Sequence, residues 1–258
     1  QLYSPEFLAA QTRPAGLPWS TRSERGDLSE SFGTLRYGQL AEILMYDVRR
    51  TLNVGDLNAV FIDRAVEQWL NNRTASRDTR HLVHVPSNPP GWSAGKWGEW
   101  YPDVLDPETG TLTTRIPKPH WRVGWLDQHD RLMQSLSEMQ HRTPLVISGD
   151  LHAIGMGEIQ RSGNLDLSAN PVTTVLSGPI GTSIGGFPSV VRGIRALPSA
   201  HLDLIEQAAP LEEHGFTVVD FTPDRTVIRQ FKWDVNRQAL DAIDNLQPFH
   251  TAELEAPV

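Results

Sequence analysis

Residues 144–159 read PLVISGDLHAIGMGEI. A short apolar run, 145–147, stops at Ser148 and Gly149; Asp150 and His152 follow, and glycines return at Gly155 and Gly157. The run has the length of a buried strand, opened by Pro144. The glycines predict a sharp turn after it, because glycine adopts backbone angles that other residues avoid. A carboxylate and an imidazole therefore stand at the carboxyl end of a predicted strand, a favoured place for sites in α/β sheets. Asp supplies a hard oxygen and His a neutral nitrogen, a mixture suited to zinc, iron or manganese. The plainer alternative is that Asp150 is a turn acceptor and His152 a surface histidine. A mononuclear site needs at least three protein ligands, and nothing close in sequence completes one.

Outward from this strand, the pattern alternates. LAEILMYDVRR, 40–50, reads as a strand leading into a loop, with Gly55 and Asn58 beyond it. Asp63 is placed to cap a helix through RAVEQWLNNR, with Val66, Trp69 and Leu70 on one face. HLVHV, 81–85, reads as a strand ended by Pro86. A Trp-, Pro- and Gly-rich loop occupies 91–119 and includes GKWGEWYPD; so long a loop is usually functional or packed down as a lid. The apolar spacing from Trp125 to Met139 fits an amphipathic helix, with Asp127 as a possible N-cap. TTVL, 173–176, is another short strand, followed by SGPIGTSIGG. FTVVDF and TVIRQFKW flank Thr222-Pro223-Asp224-Arg225, which predicts a hairpin. A last helix is expected over 237–245. The order implies an α/β or α+β layered domain over 31–258, behind an irregular segment at 1–30 with one helical turn near 6–10.

The 258 residues suffice for a substantial core. With 39% hydrophobic and 21% charged residues, the chain is globular rather than disordered. No apolar run approaches the length of a transmembrane helix. A formal charge of −8 argues against general nucleic-acid binding, although a metal or a local basic cluster allows an anionic substrate. The absence of cysteine removes disulfides, thiolate catalysis and cysteine-type zinc sites. The chain begins with Gln1, so its start is expected to be processed, trimmed or drawn from a larger product.

Other residues could join the chemistry. His81 and His84, three apart on a strand, point to opposite faces, which makes them a poor pair of ligands. His84 and Asn88 are the better candidates, since they lie toward a strand's end and could reach a common crevice. His129 opens the helix after the long loop. Arg36, Arg49 and Arg50 could pair with a phosphate, or form ordinary ion pairs. SGPIGTSIGG could cradle a phosphate but lacks the lysine and spacing of a P-loop. Trp97, Trp100 and Tyr101 either line a substrate mouth or simply pin the loop down.

Four segments in order resemble the C-terminal part of a PhoD-type alkaline phosphatase, within the calcineurin-like metallophosphoesterase superfamily. They are SFGTLRYGQLAEILMYDVRR, GWLDQHDRLMQSL, LVISGDLHA and GFTVVDFTPDRTVIRQFKW. The resemblance implies two mixed β-sheets in a sandwich flanked by helices, with metals at the edge where strands end. It implies that Asp150 and His152 are metal ligands, with His84 beside them. It gives catalytic roles to Asn88, His129 and Arg49, and places Asp47 and Arg49 close behind the ligands. Two or more divalent or trivalent ions (iron, zinc, manganese or calcium), a phosphate-ester substrate and an exported location are implied in the same way.

The superfamily's N-terminal ligand blocks are not found before Ser31. The N-terminal half of the fold is therefore expected to be missing from this chain, and a second chain is expected to supply it. GKWGEWYPD reads as an insertion. Two readings follow: a metal-dependent phosphomonoesterase or phosphodiesterase, active when completed, or a non-catalytic binding or structural module derived from the same fold.

Overall fold

The computed structural model describes residues 32–49, 52, 59–95, 99–100, 104–113 and 123–257. The irregular segment expected at 1–30 lies outside them. From β1 (Phe32–Tyr37) the chain turns into β2 (Ala41–Tyr46) and crosses through helix α1 (Arg64–Ala75) to β3 (His81–Pro86). The long stretch that follows carries the two-residue strands β4 (Trp92–Ser93), β5 (Val104–Leu105) and β6 (Leu112–Thr113). Helix α2 (Val123–Ser137) leads to β7 (Leu145–Ser148), then β8 (Ile154–Ser162), β9 (Leu165–Asp166) and β10 (Val172–Ser177). A loop with the short helix α3 (Pro188–Arg192) and β11 (Leu197–Pro198) precedes β12 (Leu202–Leu211). The chain then forms β13 (His214–Phe221), β14 (Arg225–Trp233) and β15 (His250–Glu255).

One mixed sheet organises this order. Its strands run β1-β2-β3-β7-β10-β8-β12, with β9 beside β8. The central neighbours β2, β3, β7 and β10 are parallel; β1, β8 and β12 join antiparallel. Strands β13, β14 and β15 form a separate antiparallel sheet, so the second sheet is not mixed as expected.

The two-residue period of a strand sorts the sheet's side chains onto two faces. Leu44, Tyr46, Leu82, Val146, Ile159 and Val172 pack with Val66, Trp69 and Leu70 of α1 and Leu132, Met133 and Leu136 of α2. Val83, Leu145, Met156 and Val175 turn the other way and meet Ile228 of β14, with Val219, Phe221, Ala252 and Leu254 packed around them. Helices thus cover one face and the small sheet the other. Each fully buried aliphatic side chain contributes about 1.5–3 kcal/mol.

Local signals explain most of the elements. Asp63 caps α1, its carboxylate accepting from the Ala65 N–H at 2.8 Å. Thr222 closes the turn between β13 and β14, its N–H donating to the Arg225 carbonyl at 2.9 Å. The Trp-rich loop is held down rather than open where it is described. Trp92 and Trp100 are fully buried, Trp100 stacks on Phe61 at 5.0 Å, and the Trp92 indole donates to Glu206 at 2.8 Å. Trp97 and Tyr101 lie outside the described residues, as do Lys96 and Asp103.

Three expectations are corrected. Gly155 and Gly157 belong to strand β8, not to a turn. A Cβ on Gly157 would sit 2.8 Å from the Ile205 carbonyl, and one on Gly155 3.0 Å from that of Ala208. The glycines let the irregular strand β12 lie against β8, whose pairing shifts between Glu206 and Ala208 and again before Leu211. Helix α2 begins at Val123, so Asp127 lies inside it and does not cap it. The helix expected over 237–245 is a 3₁₀ segment, Leu240–Asn245, with no buried residue; without an apolar face to bury, a full helix gains little there.

Candidate functional site

Because β2, β3 and β7 are parallel, their carboxyl ends fall on one edge of the sheet. Asp47 follows β2, Ser87 and Asn88 follow β3, and Asp150 follows β7. The Ser87 hydroxyl donates to Asp47 Oδ1 at 2.9 Å and accepts from the Val48 N–H at 3.0 Å. Asp47 Oδ1 also accepts from the Arg49 N–H at 2.8 Å. The Arg49 guanidinium then reaches Asp150 Oδ1 at 3.3 Å. Asn88 is fully buried. Two of the predicted residues, Arg49 and Asp150, are therefore in direct contact, and His152 lies two residues beyond Asp150.

The backbone here is unusual. Among the described residues, Asp150 (φ 68) and His152 (φ 48) are the non-glycine positions in the left-handed region. Leu151 N–H donates to the Gly149 carbonyl at 2.9 Å, closing a γ-turn with Asp150 at its centre, of the rare, strained hand. Packing enforces the kink. Leu151 and Ala153 are buried in a small cluster with Trp92, Leu176 and Ala196, while His152 beside them is exposed and Asp150 stays largely enclosed against Arg49. Side chains in this backbone region cost on the order of 1 kcal/mol or more each.

The His152 ring is exposed, and its Nδ1–H donates to the Gly186 carbonyl at 2.7 Å. A carbonyl can only accept, so the neutral ring carries its proton on Nδ1 and presents the Nε2 lone pair outward. That tether fixes tautomer and orientation in the way metal-binding histidines are usually fixed. Gly186 belongs to the SGPIGTSIGG segment, which leaves the same sheet edge after β10. The loop's visible role is thus to hold His152.

His84 is a correction. Its register partners are Leu44 and Val146, which places it within the sheet rather than at the edge. The Tyr46 hydroxyl lies 3.1 Å from Nδ1, and Thr74 Oγ1 lies 3.2 Å from Nε2. Thr74 gives its own proton to the Leu70 carbonyl, so His84 Nε2–H donates to Thr74 and Nδ1 accepts from Tyr46. Both ring nitrogens are engaged inside the core. Burial, aided by the charge of Arg142, brings its pKa down to about 3. His81 faces the opposite side, against the Thr222 carbonyl at 2.6 Å. Arg36 is paired with Asp78 at 3.0 Å, and Arg50 lies outside the described residues.

His129 is also away from Asp150. Its ring is fully buried, with Trp100 edge-on at 5.5 Å. Nε2–H donates to the Pro90 carbonyl at 3.1 Å, and Nδ1 lies 3.1 Å from the Ser162 hydroxyl. Ser162 donates to Asp130 Oδ1 at 2.6 Å, which is also 2.7 Å from His201 Nε2. Burial pushes the His129 imidazole down, offset in part by Asp130. Burial would raise the Asp130 carboxyl, but contacts from His129, His201 and Ser162 outweigh it and hold it well below the usual carboxylate range. One donor atom from each of His129, Asp130 and His201 lies within 4.8 Å of the others, so this cluster could hold a metal ion. It sits at the Ser162 end of β8; the Asp150–His152 turn sits at the Ile154 end, roughly 26 Å along the strand at about 3.3 Å per residue.

Sequence reasoning missed Asp130, His201 and Gln128. Asp130 reads as an ordinary polar position on an amphipathic helix, and no local pattern marks His201. Gln128 is fully buried and accepts from the Phe61 and Ile62 N–H groups at 2.7 and 2.9 Å. It donates to the Ile62 carbonyl at 2.9 Å and to Glu67 at 2.8 Å. A polar residue on the apolar stripe of α2 was the available signal.

No family model matches the chain, and no curated protein matches it. Solved structures do. The fold is similar to that of PhoD. Against that solved structure of PhoD the alignment has a TM-score of 0.57 at 12% identity and covers 93% of this chain. The chain spans 45% of the length of that PhoD chain. At this identity the likeness speaks for fold alone. No helix among the described residues is long and apolar enough to cross a membrane.

Proposed function

We propose that this chain is part of a metal-dependent phosphoesterase, with Asp150 and His152 as ligands at the strand ends. The observation that carries the reading is the left-handed backbone at both residues. Strained positions that bear chemistry cluster at functional sites, and this pair stands at the edge where parallel strands end. The donor set fits a metal: a carboxylate oxygen, and a histidine whose Nδ1 is tied to Gly186. Metal ions held there would polarise a phosphoryl oxygen and lower the pKa of water. Iron, zinc and manganese accept both the oxygen and the imidazole, whereas calcium would use oxygen donors alone.

The chain's own residues have roles in this reading. Arg49 orients Asp150 and is placed to pair with an anionic phosphoryl oxygen. Asn88 supports the neighbouring strand end. His129 belongs to the other end of β8 and takes no part in the chemistry. The remaining ligands come from polypeptide outside the described residues, in a second chain or segment.

A second reading is a non-catalytic module of the same fold. It is favoured by one observation: among the described residues, the group of three clustered metal donors contains neither Asp150 nor His152. The assembled protein, carrying its partner polypeptide, would be assayed on p-nitrophenyl phosphate and bis(p-nitrophenyl) phosphate. Asp150→Asn and His152→Ala should each lower kcat/KM by at least ~100-fold, equivalent to about 2.7 kcal/mol, with loss of the metal held at the strand ends. Unchanged activity and metal content in both variants would sink the enzyme reading in favour of the module. The split between the two substrates distinguishes monoester from diester hydrolysis.

A further inference from the structure

We propose that His129, Asp130 and His201 form a second transition-metal site, one that fastens helix α2 to the ends of β8 and β12. The inference stands apart from the phosphoesterase reading and does not need it. The ligand type is two imidazoles and a carboxylate, the mixture that zinc, cobalt and manganese accept.

The geometry is close to what a tetrahedral ion requires. Bonds of about 2.0–2.1 Å place neighbouring ligand atoms about 3.3 Å apart. Asp130 Oδ1 lies 2.7 Å from His201 Nε2 and 3.7 Å from His129 Nδ1, on either side of that spacing. Small side-chain shifts therefore suffice. The Pro90 carbonyl, by accepting from His129 Nε2, turns Nδ1 of the neutral ring inward as a lone pair. Ser162 offers a fourth oxygen, 3.1 Å from that Nδ1 and 2.6 Å from Asp130 Oδ1. Coordination through Nε2 puts the proton of a neutral His201 ring on Nδ1, so none is released there.

The backbone around the cluster is built to leave it room. Gly163 has φ +56, and a Cβ there would lie 2.7 Å from Asp130 Oδ2 and 2.9 Å from His201 Cε1. Its N–H holds the His201 carbonyl at 2.8 Å, and the Arg161 guanidinium donates to the Gly163 carbonyl at 2.7 Å. With His129 fully enclosed and His201 and Asp130 only 15% and 23% exposed at their side chains, the site is closed, as structural metal sites are.

The test uses the full 258-residue chain, stripped with chelator and titrated with zinc or cobalt(II). Wild type should bind one ion at this site, and zinc at 100-fold over Kd should raise Tm by about 5 °C. His201→Ala should bind at least ~100-fold more weakly and lose the Tm rise. His152→Ala should keep both, which separates this site from the strand-end one. Zinc-edge X-ray absorption of wild type should count two imidazole ligands; this arm needs no variant to fold. Absence of zinc binding by wild type, a zinc shell without histidine, or undiminished binding in His201→Ala would each overturn the proposal.

Discussion

Replacing Gln128 with alanine should be among the most destabilising single changes on α2. The side chain accepts from the Phe61 and Ile62 N–H groups and donates to the Ile62 carbonyl and Glu67. Truncation strands three backbone groups where water does not reach, since Phe61 and Ile62 are 0% and 1% exposed. A buried polar group left unpaired costs about 1–3 kcal/mol. Allowing for local relaxation, the sum is about 3–5 kcal/mol, a large share of a typical domain's stability. At about 2.1 cal/mol/K per residue, that corresponds to a fall in Tm of about 6–9 °C. Thermal and urea melts followed by circular dichroism would measure it. Gln128→Glu is the informative companion: it keeps both acceptances but loses the donation to Ile62 and faces Glu67. It should lose stability too, and less so at low pH, where it is protonated. A Gln128→Ala protein within 1 kcal/mol of wild type would refute the reasoning that these bonds hold the α1 and α2 ends together.

Further outcomes follow from the same geometry. His84 has a native pKa of about 3 against an ordinary 6.5; between these values the unfolded chain binds the extra proton, so stability is lost as pH falls below about 6.5. Between pH 7 and pH 5 this amounts to about 2 kcal/mol, and a His84→Gln protein should lack that part of the slope; parallel pH–stability curves would refute it. Asp63→Ala should cost about 1 kcal/mol by removing the α1 cap, read from urea midpoints, with no change expected in metal content. Gly163→Ala should both destabilise the fold, by at least about 1 kcal/mol for the positive φ alone, and displace His201. Zinc titration of that variant alongside wild type would reveal the displacement, and equal affinity would argue that the cluster tolerates a methyl group there.

How much of this was legible in the sequence varied with distance along the chain. The cap at Asp63, the strand ends at Pro86 and Ser148 and the turn at Thr222-Pro223 rest on neighbours in sequence, and the structure keeps them. The alternation of His81 and His84 between faces followed from the strand period alone. The wrong turn at Gly155 and Gly157 had a different origin. Glycine in a strand announces a close neighbour, and that neighbour, β12, lies some fifty residues further on. His84 was misplaced because a strand's residues do not declare which partner strand outlasts them. Asp150 and His152 could be named as candidates from composition. Their left-handed backbone could not, because it is imposed by where Leu151 must bury itself. His201 stayed invisible for the simplest reason: it joins His129 and Asp130 only once β12 has folded against β8.

Strand β8 has the Asp150–His152 turn at one end and the His129–Asp130–His201 cluster at the other, and that separation has an electrostatic consequence. At physiological ionic strength charges are screened over about 8 Å, and the two ends of β8 stand roughly 26 Å apart at about 3.3 Å per residue. Charge added or removed at His152 should hardly be felt at His201. The energetic effects of changing both should therefore add. On the two proposals above, a chain arranged this way could lose the chemistry at one edge of its sheet while the fastening at the other still held the fold.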